Sequence, residues 1–311
     1  MIVVTGGAGF IGSNILKGLN DAGEENIVVV DNLSNSQKHL NLNRLSFTDY
    51  IDKDDFLECL GKMKNVSTIF HQGACSSTTE KDGKYMMANN YEFSKTLLGY
   101  CLENKIDFLY ASSAAVYGNG ENGFVEEDKA EYPLNVYGFS KFAFDNYVRH
   151  VLTDAEIQIL GLRYFNVYGP QENHKDRMAS VAYHLFNQLS NTGKMRLFQG
   201  SEEFRRDFIH VSDVVKINLH FYENKSSGIY NAGTGKARSF TDIARAIKDI
   251  HGSGEIEEIP FPTDLIGKYQ KFTEANLVNI RKAGYIDDFM TLEEGVKQYY
   301  DQFSLSKGLY I

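Results

Sequence analysis

The first dozen residues constrain this chain more than any other stretch. An apolar, β-branched run, Ile2-Val3-Val4, leads into three glycines spaced Gly6-x-x-Gly9-x-x-Gly12, and a helix-periodic segment follows. At these positions Gly6 lets the chain turn sharply off a strand, Gly9 lets the backbone approach a diphosphate, and Gly12 lets helix and strand pack closely. The free amides and positive dipole end of the next helix then face the phosphates. A second strand, Asn26–Val30, ends on Asp31, about 20 residues beyond the glycines, where an acid accepts hydrogen bonds from an adenosine ribose. The pattern predicts a dinucleotide site.

Apolar periodicity predicts alternating elements. Helices are expected over 10–22, 85–103 and 137–152, and strands over 26–30, 66–71, 108–111 and 157–163, while 33–50 shows no clear period. Alternation of this kind implies right-handed crossovers and a doubly wound parallel sheet of the Rossmann type, with ligands beyond the carboxyl ends of its strands. Beyond Pro170 the loops lengthen and the apolar runs shorten. The expected division is a dinucleotide-binding domain over 1–167, with segments near 208–232 returning to it, and a smaller α/β substrate domain over 168–311.

A formal charge of -9 argues against nucleic acid or an anionic membrane as the main partner, while leaving room for an anionic small molecule. Cys59, Cys75 and Cys101 form no C-x-x-C pair and no zinc spacing, so no metal site is expected and the thiols read as reduced. With no signal-peptide pattern at the start and no apolar run near 18 residues, the expectation is a cytoplasmic protein.

Tyr137-Gly138-Phe139-Ser140-Lys141 puts a tyrosine and a lysine on one helix face, a turn apart. A phenol ionises near 10, too high for a base at neutral pH, and an adjacent lysine cation lowers that value. Ser113, at the carboxyl end of a strand, offers a hydroxyl to share the substrate alcohol's proton. Glycine loop, serine and Tyr-Lys helix in that order describe a hydride-transfer site. A binding protein that holds dinucleotide without chemistry is the contrasting expectation, and it predicts a broken Tyr-Lys-Ser set.

These residues resemble the extended short-chain dehydrogenase/reductase family, whose members act mostly on nucleotide sugars. Arg163-Tyr164-Phe165-Asn166-Val167-Tyr168-Gly169-Pro170 and Arg205-Arg206-Asp207-Phe208-Ile209-His210 extend the resemblance. It implies that Asn166 touches the sugar diphosphate and that Arg206 clamps the phosphates, as suits a planar guanidinium. A surface ion pair with Asp207 is the alternative for Arg206. Dehydratases of this family carry an acidic pair after the serine, where this chain has Ala114-Ala115. Cys75 reads as a packing group, so no second nucleophile is at hand, and a redox-neutral epimerase remains. The C4-epimerases of UDP-hexoses are one group of that kind.

Within the family, His71–Thr79, Asn173–Ser180 and Lys268-Tyr269-Gln270 resemble the ADP-heptose 6-epimerases, which make the L-glycero heptose of the lipopolysaccharide core. That resemblance implies two acid–base groups, Tyr137 and Lys175, one for each face of a transient ketone. A solvated loop charge is the other reading of Lys175. Further implied substrate contacts are Arg177, His184, the loop Phe198-Gln199-Gly200-Ser201, and Tyr269, with a core role the alternative for His184. Asp176-Arg177 stands where small residues are expected. Implied cofactor contacts are Gly6, Gly9, Phe10, Ile11, Gly12, Asp31 and Asn32, then the loop Gln72-Gly73-Ala74-Cys75-Ser76, Asn89, Tyr137, Lys141 and Val167. Asp31 alone favours NAD, because it repels a 2′-phosphate. Lys38 and Lys53 stand where the resemblance places cations around that phosphate, so NADP is expected, with NAD the alternative. A homo-oligomer, a pentamer, is also implied.

Overall fold

The computed structural model describes residues 1–262 and 270–310. The amino-terminal part runs β1 (Ile2–Thr5), α1 (Phe10–Asp21), β2 (Ile27–Asp31), β3 (Asp49–Asp52), α2 (Lys53–Leu60) and β4 (Thr68–His71). It continues through α3 (Gly83–Met86), α4 (Phe93–Asn104), β5 (Asp107–Ser113), α5 (Val136–Leu152) and β6 (Ile159–Tyr164). The rest of the chain holds β7 (Asn166–Tyr168), α6 (Val181–Thr192), β8 (Lys194–Phe198), β9 (Arg205–His210), α7 (Val211–Asn224) and β10 (Gly228–Ala232). Last come β11 (Ala237–Ser239), α8 (Phe240–His251), β12 (Glu255–Ile259), α9 (Val278–Lys282) and α10 (Leu292–Ser306). No helix among the described residues is long and apolar enough to cross a membrane.

Seven strands form one parallel sheet in the order β10-β6-β5-β4-β1-β2-β3. Both faces are covered, which is why the inner strands are continuous apolar runs. Alternate residues serve opposite layers. Val4, Val29, Phe70 and Leu109 pack under α1 and α7, whereas Val3, Val28, Ile69 and Phe108 pack under α4 and α5. The fold is the doubly wound parallel sheet expected. β10, late in the chain, joins the far edge by pairing with β6. Outside this sheet, β11-β9-β7 and β12-β8 form two small sheets, and α6, α8 and α10 share a separate apolar cluster with Met195 and Leu197.

Two segments depart from the expected pattern. The aperiodic stretch 33–50 holds a 3-10 turn, Ser36–Asn41, and ends at the edge strand β3. β3 is acidic and half exposed, and its backbone pairing with β2, Val28↔Asp49 to Asp31↔Asp52, holds it rather than a buried apolar face. The helix expected over 85–103 runs through a π-helical segment, Met87–Glu92, between α3 and α4. The wider turn shifts the facing residues by one, which simple helical periodicity does not register.

Candidate functional site

Gly6 turns the chain off β1 in the left-handed region, at φ +67°. A Cβ there would lie 2.6 Å from the Gly73 amide nitrogen, and one at Gly12 would lie 2.1 Å from the Gly6 carbonyl oxygen. Backbone on backbone at such range leaves no side chain room. Gly9 caps α1 without a side-chain hydrogen bond, so the amides of the first turn are left for another acceptor. At the end of β2, Asp31 is buried and oriented. Its Oδ2 accepts from Ala8 N at 2.9 Å, and its Oδ1 accepts from Asn32 N at 2.7 Å and Lys38 Nζ at 2.9 Å. Lys53 follows Asp52, the β3 partner of Asp31, and its ammonium pairs with Asp54.

Beyond β4 the loop 72–76 crosses the mouth of the glycine turn. Gln72 accepts from the Tyr164 hydroxyl at 3.1 Å, while its Nε2 is buried and has no hydrogen-bond partner among the described residues. This buried donor, the uncapped amides of α1 and the steric cradle around Gly6 fit a dinucleotide phosphate and carboxamide. Asn90, one residue from the expected Asn89, clamps the loop. Its side chain bonds both Cys75 N (2.8 Å) and Cys75 O (2.9 Å), and its Nδ2 reaches Ser140 Oγ at 3.1 Å. Ser140 in turn donates to the Tyr137 carbonyl at 2.7 Å. Asn89 itself is half-buried and donates to Asn90. Cys75 is a half-buried free thiol in this loop, beside Tyr85 and Tyr137.

α5 opens on Asn135, whose side chain accepts from Gly138 N at 2.8 Å and so sets the turn that carries Tyr137. The Tyr137 hydroxyl lies beside Ser113, the last residue of β5. Burial pushes this phenol up, the neighbouring Ser113 hydroxyl pulls it down, and the Cys75 sulfur acts in the direction of burial. Lys141 follows Tyr137 by one turn on α5. It is buried against β5, and its ammonium donates to the Ala111 carbonyl at 2.7 Å. Burial pulls it down to about 8, against the opposing charge of Asp145. One turn further, Asp145 anchors the helix. It accepts from Tyr110 Oη (2.9 Å), Ser112 Oγ (2.8 Å) and Arg163 Nε (2.9 Å). Arg163 also donates to Tyr117 Oη and Glu131.

Across the cleft, the lysine-bearing segment is a 3-10 stretch, Asn173–Met178. Lys175 is half-buried. Its ammonium stands 5.0 Å over the Phe10 ring, and burial pulls it down against the favourable charge of Glu172. Asp176 adopts φ +46°, ψ -129°, a conformation open to glycine, which accounts for the expectation of a small residue there. Arg177 is exposed, and His184 is half-buried on the first turn of α6 rather than in the core. Asn166 is exposed at the tip of β7, with Thr273 Oγ1 at 3.4 Å and Val167 half-buried beside it. Gln199 and Gly200 are exposed after β8 and Phe198 is half-buried, whereas Ser201 turns inward to Thr241 Oγ1 at 2.8 Å. Arg206 is only 5% exposed, with its guanidinium on the Arg205 and Gln270 carbonyls and 5.8 Å from Phe240. Asp207, on the opposite face of β9, instead takes the amides of Thr234, Gly235 and Ala275. Tyr269 lies outside the described residues.

Residues 2–233 match the model of the NAD dependent epimerase/dehydratase family. The chain belongs to this family. A curated relative, ADP-L-glycero-D-manno-heptose-6-epimerase of Brachyspira hyodysenteriae, is 59% identical over 315 residues, covering 99% of each chain. The crystal structure of the Helicobacter pylori ADP-L-glycero-D-manno-heptose-6-epimerase superposes with a TM-score of 0.85 at 32% identity, covering 97% of this chain and 96% of that one. A UDP-N-acetylglucosamine 4-epimerase from Methanobrevibacter ruminantium superposes with the same TM-score at 26% identity, over 98% of each chain.

For a member of the epimerase/dehydratase family, the supporting residues are harder to find by reading than the motif residues. Asn90, Asn135, Ser140 and Asp145 hold the site through bonds to the backbone or to other side chains. Of these, Asn135 carries a local signal, a capping residue just before a helical period. Asp145 falls four residues after Lys141 on the same helix face, a spacing visible in the sequence once a buried partner is known.

Proposed function

We propose that this protein inverts C6 of the heptose in ADP-D-glycero-β-D-manno-heptose, giving the L-glycero epimer used in the lipopolysaccharide core. What carries the reading is the pairing, in one chain, of Tyr137 beside Ser113 with a lysine-bearing segment docked against the glycine loop. The 59% identity to a curated enzyme of that name supports it. A bound nicotinamide would accept hydride from the carbinol carbon and return it to the opposite face of the ketone. Gly6, Gly12, Gln72 and Asp31 would hold that cofactor. Tyr137, with Ser113, would exchange the alcohol proton on one face, and Lys175 would do so on the other. Lys141 holds the carboxyl end of β5 through Ala111, which keeps Ser113 opposite the phenol.

The reading takes NADP as cofactor. Lys38 on Asp31 offsets the carboxylate that would otherwise repel a 2′-phosphate, and Lys53 adds a cation at the neighbouring strand end. It also takes the chain to assemble as a homo-oligomer, for which sedimentation velocity is the check. The function is tested by incubating purified protein with the D-glycero substrate and following C6 by proton NMR. Build-up of the L-glycero epimer without added cofactor supports both the reaction and a resident nicotinamide. No conversion with NADP or NAD supplied would sink the assignment.

A further inference from the structure

One buried side chain ties the Lys175 segment to the glycine loop. Asn41, 1% exposed, ends the 3-10 turn Ser36–Asn41. Its Nδ2 lies 3.0 Å from the Ala8 carbonyl inside the glycine loop, 3.0 Å from the Gln171 carbonyl and 3.2 Å from His174 Nδ1. Gln171 Nε2 returns a bond to the Asn41 carbonyl at 3.1 Å, and Asn35 Nδ2 donates to the His174 carbonyl at 2.9 Å. On the other side, Ala8 N donates to Asp31, which also holds Lys38. A hydrogen-bonded path therefore runs from Asp31 and the glycine loop, through Asn41, to the residue preceding Lys175.

The segment needs such ties. Gln171 at φ +75° and Asp176 at φ +46° bracket it, two non-glycine residues in the left-handed half of the backbone map. Local preference opposes both conformations, so tertiary bonds must over-determine them. Neither 3-10 stretch is stiff on its own, and the Asn41 side chain bonds the glycine loop and the lysine segment at once.

We infer that Asn41 is a positioning residue for Lys175, so that holding a cofactor at the glycine loop also seats the lysine over Phe10. The inference rests on the reading of Lys175 as the second acid–base group. It is tested on Asn41→Ala by hydrogen–deuterium exchange of residues 171–178, with and without added NADP, alongside steady-state epimerisation. In the wild type, NADP should slow exchange of this segment by about tenfold, the scale of about one hydrogen bond's net contribution to a local opening. In Asn41→Ala that increment should vanish, and kcat should fall by about tenfold while the substrate KM stays within about twofold.

Asn35→Ala removes a tie at the solvent-exposed rim and should show the same two effects in smaller measure; it serves if Asn41→Ala does not fold. A merely structural role would lower stability without removing the NADP-dependent protection. Unchanged protection in the variants, or a kcat loss without any change in exchange over 171–178, would overturn the inference. Lys175→Met separates the two ideas, since it should abolish inversion and keep the NADP-dependent protection. Normal inversion by Lys175→Met would end the reading of that lysine, and with it the positioning role.

Discussion

Replacing Arg163 with methionine tests how much the buried ionic hub behind β5 and α5 contributes to stability. Arg163 is fully buried and donates to Asp145 at 2.9 Å, Tyr117 at 2.9 Å and Glu131 at 2.6 Å. Without it, Asp145 keeps the Tyr110 and Ser112 hydroxyls, and Glu131 keeps Arg149. Removing one partner of a buried ion pair costs about 3–5 kcal/mol, and the donors that remain argue for the lower end, about 3 kcal/mol. Unfolding entropy of about 2.1 cal/mol/K per residue amounts to about 0.65 kcal/mol/K for 311 residues, so Tm should fall by about 5 °C. Differential scanning calorimetry at neutral pH reads this directly. The double variant Arg163→Met with Asp145→Asn removes one of the stranded charges and should recover about 1 kcal/mol, because neutralising both partners costs less than stranding one. A fall under about 1 °C in Arg163→Met, or a double variant less stable by the full sum of its singles, would refute the reasoning.

Tyr137→Phe and Lys175→Met should each cut inversion by at least about a hundredfold while Tm and cofactor content hold, as for loss of one acid–base group; wild-type rates in both would discard the two-base reading. Gly12→Ala should yield protein that neither retains nicotinamide nor matches the wild-type Tm, because the new methyl would meet the Gly6 carbonyl at 2.1 Å; absorbance of released cofactor checks it. Burial and the charges of Lys38 and Lys175 pull His174 down to about 4 from its usual 6.5. A depressed folded value favours the neutral ring, so its stability contribution is complete above pH 6.5 and lost as pH falls from 6.5 toward 4. Urea titrations of the wild type should lose stability over that window, and His174→Asn should lose less. Asp176→Gly should raise stability by about 1 kcal/mol, strain relief offset in part by backbone entropy; a lower urea midpoint would contradict the strained backbone at that position.

Local chemistry made several features readable along the chain. The glycine spacing after Ile2-Val3-Val4 depends on turns a few residues long, and both the turn at Gly6 and the contact at Gly12 are as that spacing demands. The doubly wound sheet followed from continuous apolar runs, since strands covered on both faces have no polar alternation. Ser113 and Tyr137 were legible because each sits at the boundary of a regular element, the end of β5 and the first turn of α5.

Other features were decided only by tertiary contact. How far Lys175 is withdrawn from solvent depends on Phe10 and Glu172, one of them 165 residues away in sequence. Lys141 shows the same limit from the other direction. Its spacing from Tyr137 put it on the right helix face, but the nearness of the Ala111 carbonyl settled its partner. Arg206 and Asp207 are neighbours in sequence, yet strand geometry sends them to opposite sides of β9, so adjacency misleads there. Sequence periodicity records which residues prefer burial. Which buried polar groups meet is a matter of how separate elements dock, and that docking places Asn41, Asn90 and Asp145 where they hold the site.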